Sequence, residues 1–292
     1  MTVVRRRAIG LLLAGTLAVA ACGRDSDRQP EAPHGPAPYI PTRVIQTPHY
    51  RIHSAANATQ ARDVAAAVEA LRDAYGRVFG NIAPRERLEL VLYRDRAEFK
   101  ANNRSSPWAE AYYREPRAYG YPGSGDNPHH WMLHEATHQL LRQASGFRLR
   151  AWANEGVASY FGAGTLSEGV LDPAKPDRSA YPVWWLASMR LSGDPQADID
   201  RGEIIPLEQI VEGTGPPIAQ NVNTYYLHYW SLAHYLLEGD GSRHRAAFLR
   251  LLDRGGEPAD FRRLIGPYAQ VQRGWYEHLR GMQERLRAAR GN

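Results

Sequence analysis

The sequence predicts an α+β protein in which a small α/β part with a mixed sheet precedes a mainly helical region. Two strand patterns and a long amphipathic helix alternate after residue 49, and helical patterns dominate beyond residue 127. With 43% hydrophobic and 23% charged residues among 292, the composition is that of a globular protein. We expect one folded domain over residues 49–292, with an α/β part at 49–126, two central helices at 127–162 and a helical part at 163–292.

The first residues have the pattern of a secretory leader. Three arginines at positions 5–7 precede an uncharged run of apolar and small residues at 8–21. The run ends in Leu-Ala-Val-Ala-Ala-Cys-Gly at 17–23, which resembles a bacterial lipobox. We predict a lipoprotein signal peptide at 1–21, lipidation of Cys22, and a lipid-anchored protein of the cell envelope, on the periplasmic or outer-membrane side. A plain signal peptide with an incidental cysteine is the alternative.

The composition narrows the chemistry that the mature chain can use. Cys22 is the single cysteine, so its acylation would leave no thiol for disulfides, metal ligands or catalysis. Residues 22–48 are rich in proline and poor in apolar residues, which predicts an extended tether. The formal charge of +5 includes the three leader arginines, so the balance gives no indication of a nucleic-acid partner.

The α/β part is predicted from periodicity. We expect a strand at 50–53, a helix at 59–79 stopped by Gly80, a strand at 88–93, and a short helix capped by Asp95. A further strand is expected at 117–121. Aromatic side chains among prolines and glycines at 102–128 suggest walls of a cleft, although core packing is the commoner role: Trp108, Tyr112, Tyr113, Tyr119 and Tyr121.

Two helices follow in the centre of the chain. Asn127 and Pro128 are a suitable N-cap and first helical residue, so we expect a helix from there to about residue 144. A second helix is expected at 151–161, closed by Gly162, and then a loop to about residue 179. The rest of the chain is mostly helical in pattern.

The first central helix carries the sequence His-Glu-Ala-Thr-His at 134–138. His134 and His138 are four residues apart, so their side chains share one helix face and can bind one metal ion. Glu135 is offset by about 100° around the helix, where its carboxylate reaches a metal-bound water and acts as a general base. His130 is on the same stripe, but it is about 12 Å along the axis from His138 and is therefore not expected to be a ligand.

A catalytic zinc ion needs a third protein ligand and one open position. Glu155, sixteen residues after His138, is the best candidate, because the second helix can pack against the first. That helix is apolar nearly all round, so an ionised Glu155 would be buried and would need a cation. The sequence therefore predicts a zinc site of His134, His138 and Glu155.

The two motifs together resemble the gluzincins, the thermolysin-like clan of zinc peptidases. HExxH is followed by Asn-Glu-Gly-Val-Ala-Ser-Tyr-Phe at 154–161, and the likeness to uncharacterised bacterial members spans roughly residues 48 to 240. The resemblance implies a zincin-like fold, zinc as cofactor, a peptide or protein substrate and cleavage of peptide bonds. It also implies that the strand near Tyr119 is an edge strand that binds extended peptide.

The resemblance further implies a side chain that stabilises the oxyanion, on a later helix. Tyr226 matches this position best through the Tyr-x-x-x-Trp pattern, with Tyr225 and His228 as competitors. Two other functions stay open from the sequence. One is a scaffolding or binding lipoprotein that keeps zinc for stability, and the other is a zinc hydrolase of a non-peptide amide in the cell wall.

Overall fold

A computed structural model describes residue 39 and residues 41–80, 86–103 and 108–288. The predicted leader and Cys22 lie outside these residues. The described part is a mixed α+β structure, which confirms the predicted class and the mixed sheet. Within it, no helix is both long and apolar enough to cross a membrane.

Five strands form the main sheet: β1 (Arg43–Gln46), β2 (Tyr50–Ser54), β3 (Leu88–Leu92), β4 (Tyr112–Arg114) and β5 (Arg117–Gly120). Their order is β1-β2-β3-β5-β4, with β2, β3 and β5 parallel and the two outer strands antiparallel to their neighbours. Because β1 lies within 22–48, the predicted tether was too long at its C-terminal end. β5 is also not the edge strand that we expected, since β4 pairs with its free side.

Helix α1 (Ala58–Phe79) covers one face of this sheet. The side chain of Asn57 accepts a hydrogen bond from the backbone N–H of Gln60, which caps the first turn. The apolar stripe that predicted the helix is buried at Val64, Val68, Leu71 and Tyr75. Asp95 likewise caps α2 (Arg96–Asn102) by accepting from the N–H of Glu98, as predicted.

The central helices are α3 (His130–Gln139), which continues into a π-helical turn (Leu140–Ala144), and α4 (Ala151–Gly162). The predicted N-cap was wrong, because the side chain of Asn127 bonds to Asp177 at 3.3 Å and caps no helical N–H. The expected loop at 163–179 is instead largely a hairpin of β6 (Gly164–Ser167) and β7 (Val170–Pro176).

The rest of the described chain is helical, as expected, and its main element is α8 (Val222–Ser242), which packs on α4. α8 is interrupted by non-helical backbone at Gly239, Asp240 and Gly241. The α-helices are α5 (Val183–Leu186), α6 (Pro195–Asp200), α7 (Leu207–Glu212), α8 (Val222–Ser242), α9 (Arg245–Leu252), α10 (Pro258–Leu264) and α11 (Tyr268–Ala288).

Close packing holds α4 between α3 and α8. A Cβ on Gly162 would lie 3.1 Å from both the carbonyl oxygen of His130 and the Cβ of His134. A Cβ on Gly156 would lie 2.6 Å from the carbonyl oxygen of Tyr229. Glycine at these two positions therefore lets the backbones approach to a distance that a side chain would prevent.

Candidate metal centre

The two histidines of the HExxH sequence converge, as their spacing predicts. His134 and His138 lie one turn apart in α3, with only 8% and 3% of their surfaces exposed. Their Nε2 atoms are 3.1 Å apart. Both ring nitrogens therefore face one point in the interior, between α3 and α4.

Glu155 reaches the same point from α4. Its Oε2 lies 3.3 Å from His134 Nε2 and 3.6 Å from His138 Nε2. One donor atom from each of the three residues falls within 4.8 Å of the other two. The structure thus brings together the three residues that the sequence singled out as metal ligands.

The carboxylates show that this group fits a cation. Both Glu135 and Glu155 are buried, and among the described residues the Oε2 atom of each has no hydrogen-bond partner. A buried carboxylate oxygen without a donor is costly unless a positive charge is near. Two imidazoles and one carboxylate form a donor set that suits zinc and leaves a coordination position open.

The electrostatics of the ligands agree with this interpretation. Burial alone would raise the pKa of Glu155, but His138 and His134 beside it hold that pKa well below its usual range. Burial would lower the pKa of His138, but Glu155 raises it to about 9. Glu155 therefore stays ionised beside a positive charge, which is a proton on His138 when no metal is bound and would be the metal ion when one is.

Asn154 orients one of the ligands, a role that the sequence did not assign. Its Oδ1 lies 3.2 Å from His138 Nδ1, and its amide nitrogen faces Glu155 Oε1 at 3.5 Å. The amide oxygen therefore accepts the Nδ1–H of His138 and leaves the Nε2 lone pair directed at the other ligands. A hydrogen bond of this kind fixes the tautomer and the ring orientation of a metal-binding histidine.

Glu135 occupies the position of a base beside the ligands rather than among them. It is 7% exposed, and it lines a cavity of about 360 Å³ together with His134. Burial raises the pKa of Glu135, an effect that the neighbouring histidines partly offset. The backbone of Tyr113 in β4 acts in the same direction as the histidines and lowers the pKa of Glu135. A carboxylate with a raised pKa beside an open cavity is suited to accept and return a proton.

Tyr226 lines the cavity, whereas its two competitors do not. The ring of Tyr226 lies 6.3 Å from that of His134, measured between centroids. The hydroxyl of Tyr225 donates to the carbonyl of Pro216 at 2.8 Å. His228 is fully buried, with its Nδ1 bonded to the carbonyl of Thr224. Of the three candidates, only Tyr226 is placed where it can reach a substrate in this cavity.

Two further wall residues were missed from the sequence. Trp131 in α3 and Tyr181 before α5 both line the cavity, and their rings lie 5.2 Å apart. Tyr181 is also 5.5 Å from the ring of Tyr226. An isolated aromatic in a proline-rich segment gives no sequence signal for such a role. With Trp108 and Tyr226, they give the cavity four aromatic lining residues.

The aromatic residues expected in the cleft have divided roles. Trp108 lines the cavity and is 44% exposed. Tyr112, Tyr119 and Tyr121 instead pack around Phe99 in a separate small cluster. His130 is not in the group of converging donor atoms, and its Nδ1 bonds to the carbonyl of Asn127 at 2.7 Å.

A larger depression of about 1030 Å³ lies elsewhere, lined among others by Arg51, Glu89 and Gln143. No residue of the HExxH sequence lines it, and Glu89 is paired with both Arg51 and Arg117. These ion pairs satisfy the charged groups, so we place the functional site at the smaller cavity.

No protein-family model matches this sequence, and no curated protein matches it.

Proposed function

We propose that this chain is a zinc peptidase of gluzincin type that cleaves peptide bonds in the bacterial cell envelope. The observation that carries the proposal is the convergence of His134, His138 and Glu155 beside a cavity into which Glu135 projects. A site that serves stability alone has no need of a buried carboxylate adjacent to its ligands. The packing of α3 against α4 below the mixed sheet supports a zincin-like fold.

The roles of the residues follow from their positions. Zinc, when bound, would supply Lewis acidity to the substrate carbonyl and would make a water molecule more acidic. Glu135 accepts the proton of the attacking water and returns it to the leaving amine, since it lines the cavity beside His134 without being a ligand. Glu110 also lines the cavity, but its carboxylate is paired with Arg96 and Lys100. Tyr226, which also lines the cavity, donates a hydrogen bond to the developing oxyanion.

The location of the protein is part of the same proposal. The leader pattern at 1–21 and the lipobox-like sequence ending at Cys22 support a lipid anchor in the envelope. A proline-rich segment then separates the anchor from the folded domain, which would let the cavity face substrates at a distance from the membrane.

The test compares zinc content and peptide cleavage in the wild type, in Glu135→Gln and in Tyr226→Phe. We expect one zinc ion per chain in all three. Cleavage should fall by roughly 100-fold or more in Glu135→Gln, because general-base catalysis contributes about that much. In Tyr226→Phe we expect kcat to fall with little change in KM, since the hydrogen bond forms mainly in the transition state.

The matched control is Glu208→Gln, which makes the same chemical change at an exposed position of α7. It should leave zinc content and cleavage unchanged. A folded wild type that contains no zinc would contradict the proposal. Zinc binding without any cleavage of a peptide library would instead favour a scaffolding lipoprotein, and cleavage confined to cell-wall amides would favour the non-peptide hydrolase.

A further inference from the structure

The cavity beside Glu135 adjoins a second depression. Asn223, in the first turn of α8, lines both the 360 Å³ cavity and a neighbouring depression of about 220 Å³. We call this second depression the outer subsite. Its lining residues include Trp185, Ser188, Glu203, Asn223 and Thr224. The two depressions are therefore adjacent at the start of α8, and we call them together the groove.

Exposed tryptophans are concentrated along this groove. Of the five large hydrophobic side chains exposed in the described part of the chain, three are tryptophans: Trp108 at 44%, Trp184 at 38% and Trp185 at 42%. Trp108 lines the cavity, and Trp185 lines the outer subsite. The ring of Trp184 lies 5.5 Å from that of Tyr181, which lines the cavity. Exposed apolar surface gathered at one place marks an interaction site.

The outer subsite offers hydrogen-bonding groups beside an aromatic ring. Ser188 and Thr224 contribute hydroxyls, Asn223 an amide and Glu203 a carboxylate. Among the described residues, no lysine or arginine lines it. A pyranose ring matches this pattern, because its C–H face can stack on an indole, whose face is electron-rich, while its hydroxyls bond to the polar groups.

An extended peptide matches the outer subsite less well. Peptides bound in extended form pair their backbone with the free edge of a strand. The lining residues lie in α5, in α8 and in the loops at 188–189 and 202–203, and none of them belongs to a strand. The outer subsite therefore lacks a row of backbone donors and acceptors that a peptide could use.

We propose that the outer subsite binds a neutral saccharide chain, with a sugar ring stacked on Trp185. The substrate would then be a glycan-linked peptide, whose sugar part lies over the start of α8 while its amide bond lies at Glu135. The identity of the substrate rests on the proposed function. Binding of the saccharide itself does not, because it requires neither the metal nor cleavage.

The test measures binding to the full-length protein carrying Glu135→Gln, so that nothing is hydrolysed. The probes are soluble tetrasaccharides of β-1,4-linked N-acetylglucosamine, β-1,4-linked glucose and α-1,4-linked glucose, titrated by calorimetry and by tryptophan fluorescence. We expect saturable binding of at least one probe. Trp185→Ala should weaken it about tenfold, and Trp185→Phe should retain most of it, because the aromatic face is kept.

Val170→Ala is the control, since Val170 is an exposed hydrophobic residue in β7 and lines neither depression. It should bind the probe as the parent does. The proposal is overturned if no tetrasaccharide binds up to millimolar concentration, or if Trp185→Ala binds as tightly as the parent. Binding that persists in a protein without peptidase activity would refute the proposed function but keep the saccharide subsite.

Discussion

Asn154→Ala tests whether the metal centre depends on the residue that orients His138. The change removes the acceptor 3.2 Å from His138 Nδ1 and leaves the three ligands in place. Loss of a partner of this kind costs about 10- to 100-fold in metal affinity, or about 1.4 to 2.8 kcal/mol. The contact of Asn154 with Glu155 is long at 3.5 Å, so most of the loss should come from His138.

Zinc affinity is measured by competition with a chelating indicator, and circular dichroism confirms that each variant is folded. Asn154→Asp retains an acceptor for His138, so it should bind zinc at least as tightly as the wild type. Asn102→Ala is the matched control, because Asn102 donates to the carbonyl of Glu98 in α2, outside the metal centre. If folded Asn154→Ala binds zinc as tightly as the wild type, the assigned role of Asn154 is wrong.

Two further predictions concern stability. Burial lowers the pKa of His228 from 6.5 to about 4, and its Nε2 accepts the N–H of Ile205. As the pH falls, this histidine is therefore protonated in the unfolded chain before it is protonated in the folded one. The free energy of unfolding should fall by up to about 3 kcal/mol as the pH drops from about 6.5 to 4. Urea titrations at several pH values give the free energy of unfolding as a function of pH. This free energy should depend less on pH in His228→Asn than in the wild type, and an equal pH dependence would contradict this account. Gly156→Ala should destabilise the protein by about 1 to 3 kcal/mol, because the added Cβ would meet the carbonyl of Tyr229. In Gly281→Ala, the added Cβ meets only the end of an arginine side chain at 3.4 Å. This second change should be neutral or stabilising by up to about 1 kcal/mol. Equal melting temperatures for these two variants would refute the close-packing argument.

The ligand set could be predicted from the sequence because local rules determine it. Helical spacing places His134 and His138 on one face of α3, and an apolar helix makes the charge of Glu155 hard to explain without a cation. The distances in the structure agree with both arguments. No long-range information was needed beyond the packing of two consecutive helices.

The hairpin at 164–176 was missed because its sequence carries the wrong signals. Pro173 and Pro176 lie within β7, and proline normally argues against a strand. The turn is formed by Glu168 and Gly169, with φ values of 51° and 77°. Two residues with positive φ are typical of the tight turns that join hairpin strands, but asparagine or aspartate is the usual first residue there. Glutamate at that position gave no indication of the turn.

The walls of the groove were beyond prediction for a different reason. Trp108, Tyr181 and Tyr226 are separated by dozens of residues in the sequence, and each is simply an aromatic residue in its own segment. They share a cavity because α4 packs against both α3 and α8, and the start of α8 brings the ring of Tyr226 to 6.3 Å from that of His134. Local patterns therefore identified the three residues that could hold a metal ion, while the surface that would select a substrate arises from tertiary packing. For this reason, substitutions at Trp185 and its neighbours on the groove are more informative about the substrate than further substitutions of the ligands.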